Sequence, residues 1–287
     1  MTPIQRDLVD WWGAHGRDLP WRRSRDPWAV LVSELMLQQT QVARVTVRYV
    51  RFLERFPTVE SCAAAPVGDV IEEWAGLGYN RRAVFLHRAA THCVAHHGGE
   101  LPDSLEGLLA LPGVGPYTAR AVLVFAHERD IGLVDTNAGR FVARALAGRA
   151  VAGQEAQALA DGAVPGGWGW TWGQAVFDLG ASICRKRAPR CDECPMRPHC
   201  AWARSGFPAP DPIGGSAGIS GPQSRFDGSD RQGRGRLVDA LRAGPVGSGS
   251  LAAVMGWPAD PARAARVAAT LVADGLAVAD DAGYRLP

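Results

Sequence analysis

Apolar residues recur at helical spacing through most of residues 4–205, with no run of the two-residue alternation that marks a strand. Val30, Leu31, Leu35 and Leu37 put an apolar face on a helix over 28–39, with Pro27 placed to open its first turn. A second helix is predicted over 42–56, closed by Pro57, and a third over 81–97, closed by Gly98 and Gly99. Helical patterns over 105–109 and 117–127 flank a tight turn at Pro112, Gly113, Val114 and Gly115, so two helices joined by a hairpin are expected there. Segments 135–146 and 172–183 supply two more. The pattern breaks over 206–232, which is dense in Gly, Pro and Ser and predicts a flexible linker. Three short helical patterns follow, at 235–242, 250–255 and 261–274. The stretch from Asp280 to Gly283 then separates two short apolar pieces, as in a β-hairpin. The expected class is all-α, with a helical domain over 1–205 and a small winged-helix-like module over 233–287.

Composition adds limits. A hydrophobic content of 47% supports a real core, and the net charge of +2 means that any contact with an acidic polymer rests on local patches. The positive charge is almost all arginine, Lys186 being the only lysine. No leader pattern opens the chain, and no run approaches the ~18 apolar residues of a membrane span. A cytoplasmic location, without a membrane partner, is expected. In that compartment six cysteines argue for metal ligation over disulfides. Cys62 and Cys93 fall in helical stretches and read as core thiols.

Four elements carry candidate chemistry. Cys184, Cys191, Cys194 and Cys200 are spaced C-x6-C-x2-C-x5-C. Zinc usually takes two knuckles across a longer stretch, whereas one continuous loop better suits a cubane iron–sulfur cluster. Arg185, Lys186, Arg187, Arg190 and Arg197 in the same loop form either a solvated run or a phosphate-contacting patch. The hairpin glycines Gly113 and Gly115 either make a plain turn or present backbone N–H groups beside a helix start, where phosphates bind. Glu34 interrupts an apolar helix: it faces solvent, or it is buried and becomes a proton donor near neutrality. Asp135 caps the next helix, a role compatible with catalysis if its side chain also faces a cleft. One neutral and one ionised carboxylate are the equipment for cleaving a glycosidic bond. Gln38, Gln39, Thr40 and Gln41 close the Glu34 helix with groups suited to base edges, and Tyr79 is either a stacking wedge or a core aromatic.

With SELMLQQTQV, GLGYNRRA, LPGVGPYTA, VDTNAGR and the cysteine loop in this order, residues 4–205 resemble the helix–hairpin–helix DNA glycosylases of the endonuclease III superfamily. Within it, the chain is most similar to the adenine DNA glycosylases acting on adenine opposite 8-oxoguanine. The resemblance implies two helical subdomains with a cleft between them and one 4Fe–4S cluster on the four loop cysteines. It implies that Glu34 protonates a flipped adenine, that Asp135 stabilises the sugar cation, and that Tyr117 and Asn137 position them. Gln38, Gln39, Thr40, Tyr79, Gly113, Gly115 and Arg22 would contact duplex DNA carrying A:8-oxoguanine or A:G pairs. A tyrosine at 117, where the bifunctional members carry lysine, implies a monofunctional enzyme. A mismatch thymine glycosylase, a non-catalytic cluster protein and a zinc-stabilised regulator are the alternatives. The family's larger C-terminal domain, resembling pyrophosphohydrolases and gripping 8-oxoguanine, has no room in 233–287, and Thr136 stands where glycine is frequent. A monomer located at the nucleoid of a bacterium is expected.

Overall fold

Helix-forming segments decide the architecture. The computed structural model describes residues 1–219, 221 and 224–287, and 58% helix fixes the all-α class. In chain order the helices are α1 (Pro3–His15), α2 (Pro27–Leu37), α3 (Val42–Arg55), α4 (Val59–Ala64), α5 (Val67–Glu73), α6 (Arg81–His96), α7 (Leu105–Ala110) and α8 (Pro116–Phe125). There follow α9 (Thr136–Phe141), α10 (Gly153–Ala163), α11 (Gly169–Ser182), α12 (Ala201–Arg204), α13 (Asp230–Ala243), α14 (Leu251–Met255) and α15 (Pro261–Ala273). Strands β1 (Val278–Asp280) and β2 (Gly283–Arg285) pair antiparallel, with Val278 opposite Arg285. Among the described residues no helix is long and apolar enough to cross a membrane.

The chain divides into two units that cut across its linear order. Unit one holds Met1–Pro27, Asp103–Leu105 and Gly115–Pro222, and unit two the remainder, 223–287 included. Unit one is built around Leu8, Phe141, Trp172, Val176, Leu179 and Met196. Gly180 brings α11 so close to α9 that a Cβ there would stand 2.7 Å from the Asn137 Cβ. Its N-terminal segment is tied to α11 by Asp178, whose Oδ2 accepts from Trp12 Nε1 at 3.0 Å. Arg22 takes the same carboxylate in a two-pronged bond, 2.8 Å on each side, and is 9% exposed. This corrects the expectation that Arg22 touches DNA: its charged head is spent on an interior carboxylate. Burial pushes the Asp178 pKa up, but the Arg22 and Arg17 bonds outweigh it and hold the group below the usual range.

The flexible linker expected over 206–232 is, in part, an ordered strap on unit one. Pro212, Ile213, Ser216 and Gly218 are buried, Ala217 N donates to Val151 O at 3.1 Å, and Asp211 pairs with Arg144 at 2.5 Å. A Cβ on Gly139 would meet the Ala217 carbonyl carbon at 2.7 Å, so the strap lies directly on α9. Residues 220, 222 and 223 of that stretch lie outside the described residues.

In unit two, Val30, Leu31, Leu35, Val45, Phe52, Trp74 and Leu86 are buried together, with Phe52 edge-on to Trp74. The terminal helices pack through Leu237, Leu241, Met255, Val267 and Leu271. Gly233 admits the Trp257 ring, and Val246 adds an isolated bridge to Tyr284 beside the hairpin.

Candidate active site

In α2 every residue from Trp28 to Met36 is buried, Ser33 and Glu34 among them. The helix is therefore enclosed on all sides, and Glu34, 6% exposed, is not the solvated carboxylate that an amphipathic helix would carry. The helix ends in Gln38, Gln39 and Thr40. Gln39 is exposed and has φ +54°, a left-handed conformation unusual for a residue with a Cβ.

A buried arginine that the sequence reading passed over holds this end in shape. Arg82 Nη1 donates to the carbonyls of Leu35, Met36 and Gln38 at 2.5, 3.0 and 2.6 Å. Its Nη2 donates to Thr40 Oγ1 and Gly78 O, both at 3.0 Å. Burial pulls its pKa down to about 10. One guanidinium thus joins the last turn of the Glu34 helix to the loop carrying Tyr79. Tyr79 is 44% exposed at φ +46°, so it is not a core aromatic. No spacing rule reveals Arg82, because three of its carbonyl partners lie more than forty residues away.

In unit one, Asp135 caps α9: its Oδ1 accepts from the backbone N–H groups of Asn137 and Ala138, each at 2.7 Å. Its Oδ2 accepts from Asn137 Nδ2 at 2.8 Å. Burial raises the Asp135 pKa, and the three hydrogen bonds oppose that rise without cancelling it. Asn137 is itself held, its Oδ1 accepting from Arg140 Nη2 at 2.7 Å. Arg140, a second residue missed in the sequence, also donates to the carbonyls of Thr136, Gly180 and Cys184. Beyond α9 the chain continues as a π-helical stretch, Val142–Ala147, ending at left-handed Gly148. Tyr117 lies in the first turn of α8, its ring 6.4 Å from that of Phe177.

The two hairpin glycines differ. Gly113 has φ +78° and a Cβ there would stand 2.5 Å from that of Phe85, so both conformation and space require glycine. Gly115 is extended and caps α8, with Pro116 at the first position and open space around its Cα. The absent side chain leaves the N-terminal turn of α8 open to an incoming group.

Cys184, Cys191, Cys194 and Cys200 are free thiols, and Cys184, Cys194 and Cys200 pack beside the core of unit one. Among the described residues no group of three or more His, Cys, Asp or Glu stands at metal-binding geometry. The four thiols are nonetheless near enough to act electrostatically on one another. Burial raises the pKa of Cys194 to about 12, and the other three thiols push it the same way. Arg144 donates to Cys184 Sγ at 3.5 Å. Burial disfavours ionisation of the bare thiols of Cys191, Cys194 and Cys200, while a cationic centre would reverse that balance, so the donor set fits a thiophilic group in kind. Of the basic residues in the loop, Arg190 pairs with Glu193 and Arg197 with Asp192, leaving Arg185, Lys186 and Arg187 exposed.

Comparison with known proteins gives the family of the chain. Residues 32–162 match the family described as HhH-GPD superfamily base excision DNA repair protein. Adenine DNA glycosylase of Mycolicibacterium smegmatis is 41% identical over 96% of this chain and 92% of its own length. That of Mycobacterium tuberculosis is 41% identical over 98% and 92%. Among solved structures, a thermostable thymine-DNA glycosylase superposes with a TM-score of 0.65 at 28% identity, covering 70% of this chain and 95% of that one.

Proposed function

The chain belongs to the adenine DNA glycosylases of the HhH-GPD base excision repair superfamily, and from that premise we propose that it removes adenine mispaired with 8-oxoguanine or guanine in duplex DNA and leaves the strand uncut. A stacked base hides its glycosidic bond, so the adenosine is flipped out before reaction. Glu34 protonates a ring nitrogen of adenine. The C1′–N9 bond then breaks with its electron pair leaving on the base. Asp135, ionised, stabilises the oxocarbenium-like sugar until water adds at C1′ and loses a proton. Asn137 holds the Asp135 carboxylate, and Tyr117 positions the reacting groups. The observation that carries this reading is Glu34, a carboxyl group buried in a helix whose other enclosed residues are nearly all apolar.

Release without strand cutting rests on the absence of an amine nucleophile. Lys186, in the cysteine loop, is the only lysine, and Tyr117 can form no Schiff base. Gln38, Gln39, Thr40 and Tyr79 contact the mispair and its strand, while Gly113 and Gly115 present backbone N–H groups to phosphates. Cys184, Cys191, Cys194 and Cys200 hold one 4Fe–4S cluster, which fastens the loop and exposes Arg185, Lys186 and Arg187 to DNA. The protein works as a monomer at the nucleoid.

Duplexes carrying A opposite 8-oxoguanine, G, C or T, and T opposite G, followed by alkali, test this. Cleavage at A opposite 8-oxoguanine and G, dependent on alkali, is the expected result. Excision of T from the G:T duplex would move the chain to the thymine enzymes. Glu34→Gln is expected to slow excision by about 10²–10⁴-fold while keeping duplex affinity, and Asp135→Asn to behave alike. Normal turnover in either variant overturns the assignment.

A further inference from the structure

Residues 224–287 have the build of a small module with three helices, but its third helix, α15, is badly equipped to lie on DNA. Its solvent-facing positions include Ala262, Ala265, Ala269 and Ala273, and its two arginines, Arg263 and Arg266, both pair with Asp230. The polar groups of the module converge elsewhere, on Tyr79 and Asn80 of the α5–α6 loop and on Arg81, which opens α6. Arg231 Nη1 donates to the Tyr79 hydroxyl at 3.4 Å. Arg242 Nη2 donates to Asn80 Oδ1 at 2.9 Å and to Ile71 O at 2.9 Å, with its Nε on the same carbonyl at 3.1 Å. Arg81 Nε pairs with Asp274 Oδ1 at 3.3 Å, and Asp274 Oδ2 takes Arg234 at 2.5 Å.

The loop needs such support. Tyr79 combines an outward ring with a left-handed backbone, a conformation that persists only where the surroundings over-determine it. Arg82 grips the carbonyl side of this loop, and the terminal module grips its side chains.

We propose that residues 224–287 are a splint for the Tyr79 loop, with Arg242 as the positioning residue, so that discrimination of the base opposite adenine depends on the module through the loop it braces. This rests on the reading above that Tyr79 contacts DNA. Arg242 has a side chain only 12% exposed, and its bonds to Asn80 Oδ1 and Ile71 O fix the loop from one helix. Remote bracing of this kind matters because small displacements of a positioning group are costly in rate.

The test uses the full chain and single-turnover excision of A opposite 8-oxoguanine, G and C. Arg242→Ala is expected to lower the preference for 8-oxoguanine over G about tenfold, a loss typical of a slight misplacement. Asn80→Ala, which removes the acceptor from the loop side, is expected to do the same and serves if Arg242→Ala folds poorly. In a Tyr79→Ala background, adding Arg242→Ala is expected to change selectivity no further, because both act through one group. Multiplicative effects, or unchanged selectivity in Arg242→Ala and Asn80→Ala with Tyr79→Ala impaired, overturn the splint. A Tyr79→Ala protein with normal affinity and selectivity instead overturns the reading of Tyr79 itself. Arg266→Ala is expected to leave affinity and selectivity intact, and a loss there would show that α15 lies on DNA and overturn the splint.

Discussion

Asp135 caps α9 with one side chain. In the proposed mechanism the same carboxylate also stabilises a sugar cation. Its pKa lies above the ordinary aspartate value of 3.8 because burial outweighs three hydrogen bonds. A raised carboxylate favours the fold when protonated, so this contribution to stability is full below the ordinary pKa and is lost as pH rises through the raised one. The proposed catalysis runs the opposite way, needing the ionised form. The acid limb of the pH–rate profile is therefore expected above 3.8, shifting or vanishing with Asp135→Asn. Asp178 is the counter-case. Its lowered pKa stabilises the fold above the ordinary value, and that support is lost as pH falls through the lowered one. Asp178→Asn strands Arg22 in the interior and is expected to cost about 3–5 kcal/mol, read by urea unfolding. Asp135 and Glu34 were legible as candidates in the sequence, since a capping Asp and a carboxylate inside an apolar run stand out. Glu34's burial was not, because enclosure comes from neighbours distant in the chain. Arg82 and Arg140 were legible only as members of the motifs GLGYNRRA and VDTNAGR, since bonds to backbone carbonyls leave no pattern of their own in a sequence.

The helices with strong apolar spacing, α2, α3, α6, α8 and α11, lie where their patterns put them, to within a few residues at the ends. The reading named no boundaries for α4, α5 and α10. Val59–Ala64 and Val67–Glu73 are too short to display a period, and Gly153–Ala163 is diluted by alanine and glycine. The hairpin between α7 and α8 was readable as a turn, but the unequal duties of its glycines depend on Phe85, which the sequence cannot place. Gly113→Ala is expected to destabilise the fold by about 1–3 kcal/mol through its left-handed backbone, and to weaken duplex binding. Gly115→Ala is expected to leave stability near wild type while also weakening binding, since a methyl there meets nothing in the protein. Paired denaturant curves and duplex titrations separate the two. The strap over 211–219 escaped notice because small residues that permit a close approach look, in one dimension, like residues that permit disorder.

At the scale of the whole molecule, the cysteine loop and the strap both fasten on the stretch after α9, through Arg144 to Cys184 Sγ and to Asp211. Protein made under iron depletion is expected to be colourless, cut by protease within 184–200, and lower in melting temperature than the iron-replete form. Equal stability of the two would remove the structural role of the cluster. The division into units has a temporal side. Trp12 reaches its partner Asp178 across 166 positions, and the arginines at 17 and 22 wait for the same carboxylate. At ~5–20 residues per second, a ribosome releases α1 roughly 8–30 s before α11 can receive it. Through that interval α1 and the residues just after it travel with an apolar face and two arginines unsatisfied, a natural client for a chaperone. The carboxylate that ends the wait belongs to the helix running directly into the cysteine loop, so the docking of α1 and the completion of that loop are events of the same moment in synthesis.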